Sequence, residues 1–169
     1  MSIYALKRIA GGALVAVAVA SAPLALASTT TSHTVMIRAK LEVTGGKPPS
    51  CSAGICTITN HGTGTMTPYG KVAFTTVIVA DGNQPPCGMG SQWVNRIVRG
   101  IHTHKGNLVL HEAGLQCPKP GIGPRVDAVW AVDGANSTGI FHDATGSGHD
   151  VAYPVQGTAA PRGTITLAP

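Results

Sequence analysis

The chain has 169 residues, 11% of them charged, and a formal net charge of +5, which is the size and composition of one folded domain. Abundant Gly, Thr, Val and Ala favour short strands and tight turns over helices. A nucleic-acid-binding protein is excluded because the basic residues form no run and few aromatic residues lie among them. The scattered basic positions include Arg38, Lys40, Lys71, Arg96, Arg99 and Arg125.

The first 27 residues have the three parts of a secretory signal peptide. Lys7 and Arg8 form a basic start, an apolar run extends from Ile9 to about Ala20, and Ala25-Leu26-Ala27 is a small-x-small cleavage site. The run is shorter than the roughly 20 apolar residues of a membrane span. We therefore expect a single mature domain, residues 28–169, that is secreted or enters the periplasm or cell envelope and has no membrane span. An uncleaved anchor is the alternative.

Alternation of apolar and polar residues predicts about eight strands in the mature chain. Gly45–Pro49 is expected to end the first strand, and Lys105-Gly106 is expected at the tip of a hairpin between the fourth and fifth. The spacing is typical of an all-β antiparallel sandwich or barrel. The expected strands are His33–Thr44, Thr57–Asn60, Lys71–Ala80, Gln92–His104, Asn107–Ala113, Arg125–Asp133, about Thr138–Ala144 and about Gly157–Leu167.

Four cysteines in an exported chain favour two disulfides, for which three connectivities exist. We favour Cys51 with Cys56, which closes a short loop, and Cys87 with Cys117, which ties two Pro- and Gly-rich loops together. A zinc site built from all four thiolates is the alternative, but the paired C-x2-C spacing of such sites is absent.

A late segment, Ser137–Gly148, resembles the Gly-Thr-Gly-x-Phe-x-x-Ala-x-Gly pattern of small exported β-barrels of the allene oxide cyclase and dirigent group. The matching residues are Thr138, Gly139, Phe141, Ala144 and Gly146, whereas Ser137 and Asp143 stand where that group often has Gly. The resemblance implies a single antiparallel barrel with Phe141 plugging one end of its core. Members of the group act on small apolar molecules held in the barrel, but none of their functional residues can be matched to a position here.

Histidines provide the candidate metal ligands. His102 and His104 are two residues apart and share a strand face, and His111 lies on the partner strand. Together with Glu112 they are a candidate zinc or copper site, with His142 beside Asp143 as a second possibility. Solvated histidines on an outer face are the simpler interpretation, and no cofactor is predicted.

Aromatic residues provide the candidate ligand contacts. Trp93, Trp130 and Phe141 are candidates for lining an apolar site, with core packing as the alternative for each. No catalytic residue is identified. The carboxylates Asp127, Asp133, Asp143 and Asp150 are more simply turn formers or surface charges than an acid/base pair.

These features predict a secreted barrel that binds a small apolar ligand or serves as an extracellular interaction module. The competing hypothesis is an isomerase- or cyclase-like enzyme acting on a small apolar substrate. A filled barrel that works through its surface, or as a homo-oligomer, is a third. An enzyme should show at least one ionisable pair facing the barrel interior, whereas a binder should show an apolar interior.

Overall fold

The computed structural model describes residues 31–169, and this part of the chain is almost entirely β-structure. A short 3₁₀ turn lies at Gly139–Phe141, and no helix within the described range is long and apolar enough to cross a membrane. The predicted signal peptide lies outside the described residues. The strands are β1 His33–Ser52, β2 Ile55–Thr67, β3 Gly70–Asp81, β4 Gln92–Thr103, β5 Gly106–Lys119, β6 Gly123–Val132, β7 Thr145–Tyr153, β8 Thr158–Ala159 and β9 Arg162–Leu167.

The sheet closes on itself as an antiparallel barrel. Strands β1 to β7 pair with their neighbours in chain order. β8 and β9 then share the remaining position, since both lie between β7 and β1 and are separated only by Ala160 and Pro161. The result is a closed eight-stranded barrel, which confirms the predicted fold class. Closure pairs the backbone N–H and C=O groups that the edge strands of an open sheet would leave exposed.

The barrel interior is packed more fully at one end than at the other. Eight-stranded barrels have room for inward side chains or for one small ligand. A small apolar cluster, Val94, Ile97, Val126 and Ala128, lies toward the end that carries the β3–β4 and β5–β6 connections. The larger cluster fills the opposite end and includes Ile37, Leu41, Met66, Tyr69, Phe74, Ile101, Leu108, Leu110, Trp130, Phe141 and Ile165.

The packed end is closed by the segment for which the sequence analysis predicted a strand, Thr138–Ala144, and that prediction is wrong. Gly139 and Asp143 have φ values of 64° and 57°, in the left-handed region that interrupts a strand. The Thr138 N–H donates to the Asn107 carbonyl oxygen on β5, whereas those of Phe141, His142 and Ala144 donate to carbonyl oxygens within the segment itself. The turn carries Phe141 into the core, where its ring meets Tyr69 edge to face at 5.1 Å between centroids. The strand that follows, β7, was not predicted.

The predicted end of the first strand at Gly45–Pro49 is also wrong, because β1 continues to Ser52. Register shifts between Val43 and Gly45 and between Lys47 and Ser50 absorb the glycines and prolines without ending the pairing with β2. Proline is tolerated at such irregularities because it need not donate a ladder hydrogen bond there. β1 and β2 therefore form a longer hairpin than expected.

Two disulfides stabilise the domain, in the predicted connectivity. Cys51 pairs with Cys56 near the tip of the β1–β2 hairpin, and Cys87 joins the β3–β4 connection to Cys117 near the end of β5. No described cysteine is free. Disulfides of this kind are typical of proteins in an oxidising, extracellular-type environment.

Candidate functional site

Three charged side chains meet inside the barrel. Arg99 on β4, Glu112 on β5 and Asp150 on β7 all point inward, and their side chains are 4%, 0% and 1% exposed. Arg99 Nε donates to Glu112 Oε1 at 2.7 Å, and Nη2 donates to Glu112 Oε2 at 3.2 Å and to Asp150 Oδ2 at 2.6 Å. The backbone N–H of Ala160 donates to the second Asp150 oxygen at 2.9 Å. We call Arg99, Glu112 and Asp150 the buried triad.

The buried triad contains one cation and two carboxylates. This imbalance, together with burial, shifts the pKa values of Glu112 and Arg99. Burial raises the pKa of Glu112 to about 7, the Arg99 guanidinium opposes that rise, and the charge of Asp150 adds to it. Burial alone would lower the pKa of Arg99, but the two carboxylates more than offset it, so its pKa is raised. Arg99 is therefore a permanent cation, while Glu112 exchanges a proton near neutral pH.

Side chains on the inner faces of β2, β3 and β4 form two neighbouring rows. In one, which we call the polar row, Asn60 lies opposite Thr76 and Thr76 lies opposite Arg99. The adjacent row is apolar and consists of Ile58, Ile78 and Ile97, paired in the same way. Directly opposed residues have Cβ atoms about 5 Å apart. Each row is thus a continuous strip across three strands.

The two rows form part of the wall of a cavity of about 360 Å³. Arg99 is the innermost of the β4 residues at this cavity, and its guanidinium carbon lies 5.9 Å from the centroid of the Phe74 ring. Gln92 and Gln116, hydrogen-bonded to each other at 3.1 Å, lie toward the strand ends. The remaining lining is mainly apolar and comprises Val43, Phe74, Val94, Val126, Ala152, Pro154, Gly157, Thr158 and Ala159.

The polar groups at the cavity are not all hydrogen-bonded within residues 31–169. The Thr76 side chain is buried, and its hydroxyl oxygen is unpaired. Arg99 uses Nε and Nη2 for the two carboxylates, and Nη1 takes no part in these bonds. Because an unpaired buried polar group costs free energy, such groups at a cavity wall indicate where a bound molecule can be recognised.

The predicted aromatic ligand contacts lie elsewhere in the barrel. Trp130 is buried in the large cluster, with its indole against Gly148 and Gly163 and its Nε1–H donated to the His149 carbonyl oxygen at 3.1 Å. Phe141 belongs to the plug at the opposite end. Trp93 is 43% exposed. None of the three is among the residues that line the cavity.

The candidate metal ligands are not brought together. His102, His104 and His111 are all exposed, and His111 Nε2 contacts Asp133 Oδ2 at 3.0 Å on the barrel surface. Within the described part of the chain, no three His, Cys, Asp or Glu side chains form a group that could hold a metal ion. His142 and Asp143 form only an exposed pair, at 3.0 Å.

Of the four aspartates considered from the sequence, one is buried. Asp127 pairs with Arg125 on the surface, and Asp133 accepts hydrogen bonds from Asn136, which hold its pKa below the usual value. Asp150 was expected to be a turn former or a surface charge and instead belongs to the buried triad. The expectation failed because β7, the strand that turns this carboxylate inward, was not predicted.

Sequence reasoning also missed the inward positions of Arg99 and Glu112, although a signal was present. Arg99 lies between Ile97 and Ile101 in steps of two, and Glu112 continues the step from Leu108 through Leu110. Residues two apart in a strand share a face, so both charges fall on the apolar face of their hairpin.

Comparison with protein-family models, curated proteins and solved structures found no match to this chain.

Proposed function

We propose that this domain is an exported binding protein that holds a small, mainly apolar molecule inside its barrel. The observation that carries the proposal is the cavity of about 360 Å³ at the end of the barrel opposite the Phe141 plug. Small-molecule sites are typically about 300–1,000 Å³ in volume and apolar, with a few polar groups that orient the ligand. The isoleucine row and the polar row match that description.

Export is part of the proposal and rests on the predicted signal peptide, with support from the two disulfides. Kinship with the allene oxide cyclase and dirigent group is likewise proposed. The closed antiparallel barrel supports it, because that architecture lets a small protein enclose an apolar molecule.

Cavity-blocking variants test the binding function. N-phenyl-1-naphthylamine is an uncharged apolar dye whose emission increases in apolar surroundings, and we expect the wild-type protein to bind it with one saturable site. Ile78→Trp places a larger ring in the cavity wall and should abolish binding, whereas Val77→Trp, one residue away on the exposed face of β3, should not. Ala152→Phe, on the wall contributed by β7, is a second blocking variant.

Circular dichroism and thermal unfolding of each variant establish that loss of dye binding reflects a filled cavity in a folded barrel. Equal dye binding by the wild type and by both folded blocking variants would contradict the proposal, as would no dye binding by the wild type.

The enzyme hypothesis stays a second candidate because of one observation: an ionisable group does face the interior. Arg99 reaches the cavity, while Glu112 and Asp150 lie behind it and are not among the lining residues. A fixed cation of this kind stabilises negative charge that develops on a substrate oxygen, as an isomerase requires. Gas chromatography of small unsaturated ketones and epoxides incubated with the protein tests this. Isomerisation by the wild type and by Val77→Trp, but not by Ile78→Trp, is the result that the hypothesis predicts.

A further inference from the structure

A protein that bound only hydrocarbons would not need the polar row in its cavity wall. Asn60, Thr76 and Arg99 lie directly opposite one another on three adjacent strands and all line the cavity. The isoleucine row beside them shows that the same wall accommodates apolar residues. The polar strip is therefore local, and its position fixes where on a bound molecule a polar group would have to lie.

The three side chains offer a particular set of donors and acceptors. Arg99 is held by two carboxylates through Nε and Nη2, so it cannot turn away, and its Nη1 provides N–H donors that these bonds do not use. Thr76 provides a hydroxyl without a described partner, in a side chain only 3% exposed. Asn60 adds an amide, which both donates and accepts. An oxygen atom on the ligand is the group that this set can pair.

The charges around the polar row determine the kind of oxygen. The single positive charge of Arg99 already faces Glu112 and Asp150, both within hydrogen-bond distance. A ligand carboxylate would compete with Asp150, and with Glu112 when it is ionised, for one cation in a poorly solvated interior, which is unfavourable. A ligand ammonium would face the guanidinium itself. An uncharged oxygen avoids both penalties.

We infer that the cavity selects apolar molecules carrying one uncharged oxygen function, a ketone or a hydroxyl, placed against the polar row of Asn60, Thr76 and Arg99. The inference rests on the proposed binding function and adds the ligand class. The apolar body of the ligand would then lie along the Ile58, Ile78 and Ile97 row.

A matched series of naphthalenes tests the inference through displacement of N-phenyl-1-naphthylamine. Naphthalene, 2-acetylnaphthalene and 2-naphthoate share one apolar body and differ in having no oxygen, a ketone or a carboxylate. We expect 2-acetylnaphthalene to bind about tenfold more tightly than naphthalene, which is what one to two net hydrogen bonds contribute, and 2-naphthoate to bind more weakly than the ketone.

Variants of Thr76 locate the selectivity. Thr76→Val keeps the shape of the side chain and removes the hydroxyl, so the ketone should lose most of its advantage while naphthalene affinity stays within about twofold. Thr76→Ser should keep the preference. Thr75→Val is the matched control, because Thr75 is the preceding residue of β3 and is exposed outside the barrel, and it should leave all affinities unchanged.

The outcomes separate this inference from the proposed function. Equal binding of naphthalene and ketone, or tightest binding of 2-naphthoate, would overturn the ligand class and leave the binding function standing. A ketone preference that survives undiminished in Thr76→Val would overturn the placement of the ligand oxygen against the polar row. Absence of binding by the dye and by the whole series would overturn both.

Discussion

The wild-type barrel should lose stability as the pH rises from about 4.5 to 7, and Glu112→Gln should abolish this loss. The Glu112 side chain is fully buried and shares Arg99 with Asp150, and burial, reinforced by the Asp150 charge, raises its pKa from 4.5 to about 7. Between these pH values the folded protein keeps a proton that the unfolded chain has released. The native state therefore binds more protons, and stability falls with rising pH.

The size of this effect follows from the pKa difference. Each pH unit within the interval costs the native state about 1.4 kcal/mol, so the full loss is about 3 kcal/mol. This stability is fully present below pH 4.5 and is lost as the pH passes through about 7. Gln resembles the protonated carboxyl in shape and does not titrate here. Glu112→Gln therefore lacks this contribution to the change of the free energy of unfolding with pH.

Urea unfolding from pH 4 to pH 8 measures the effect. The free energy of unfolding of the wild type minus that of Glu112→Gln should decrease by about 3 kcal/mol across the interval, since titrating groups that do not interact with Glu112 cancel in the difference. Glu42→Gln, at an exposed carboxyl on β1, is the matched control. If the free energy of unfolding of the wild type minus that of Glu112→Gln stayed constant or increased with pH, the reasoning would be refuted, because Glu112 would then stay ionised beside Arg99.

Three further substitutions test the packing and polar contacts, each by urea unfolding. Phe141→Ala should lower the free energy of unfolding by about 3–5 kcal/mol, since it empties the plug against Tyr69; a loss below about 1 kcal/mol would show that this end is not closed. Asp150→Ala leaves the Ala160 N–H and one Arg99 N–H without their acceptor and should cost about 1–3 kcal/mol, whereas an unchanged midpoint would contradict the triad geometry. Thr76→Val removes an unpaired buried hydroxyl and should raise stability by about 1 kcal/mol; a lower stability would indicate that the hydroxyl is already satisfied.

The fold was more predictable than the site because strand periodicity is a local signal. The alternation at His33–Thr44 and the hairpin around Lys105-Gly106 required only neighbouring residues, and both were found as strands. Local signals failed where long-range pairing dominated. Pairing with β2 continues β1 through Gly45–Pro49, and Phe141 packs into the core from a turn instead of from a strand.

The candidate site depends on which residues become neighbours around the closed barrel. Arg99 and Asp150 are 51 residues apart, and only closure of the sheet brings their strands to face one another. The alternation that places Arg99 and Glu112 inside, on the two strands of one hairpin, was readable from the sequence, but the approach of Asp150 was not. The row of Asn60, Thr76 and Arg99 depends on the registers of two strand pairs, and a slip of one residue would turn these side chains outward.

Native mass spectrometry of the protein, purified without refolding from the cells that make it, tests the central claim most directly. We expect a reproducible adduct of a small, uncharged, mainly apolar molecule on the wild type and on Val77→Trp, and its absence from the folded Ile78→Trp variant. An adduct that persists at full occupancy on folded Ile78→Trp would contradict the account, because the molecule would then bind somewhere other than the cavity. A wild-type protein that carries no adduct and also fails to bind N-phenyl-1-naphthylamine would contradict it as well.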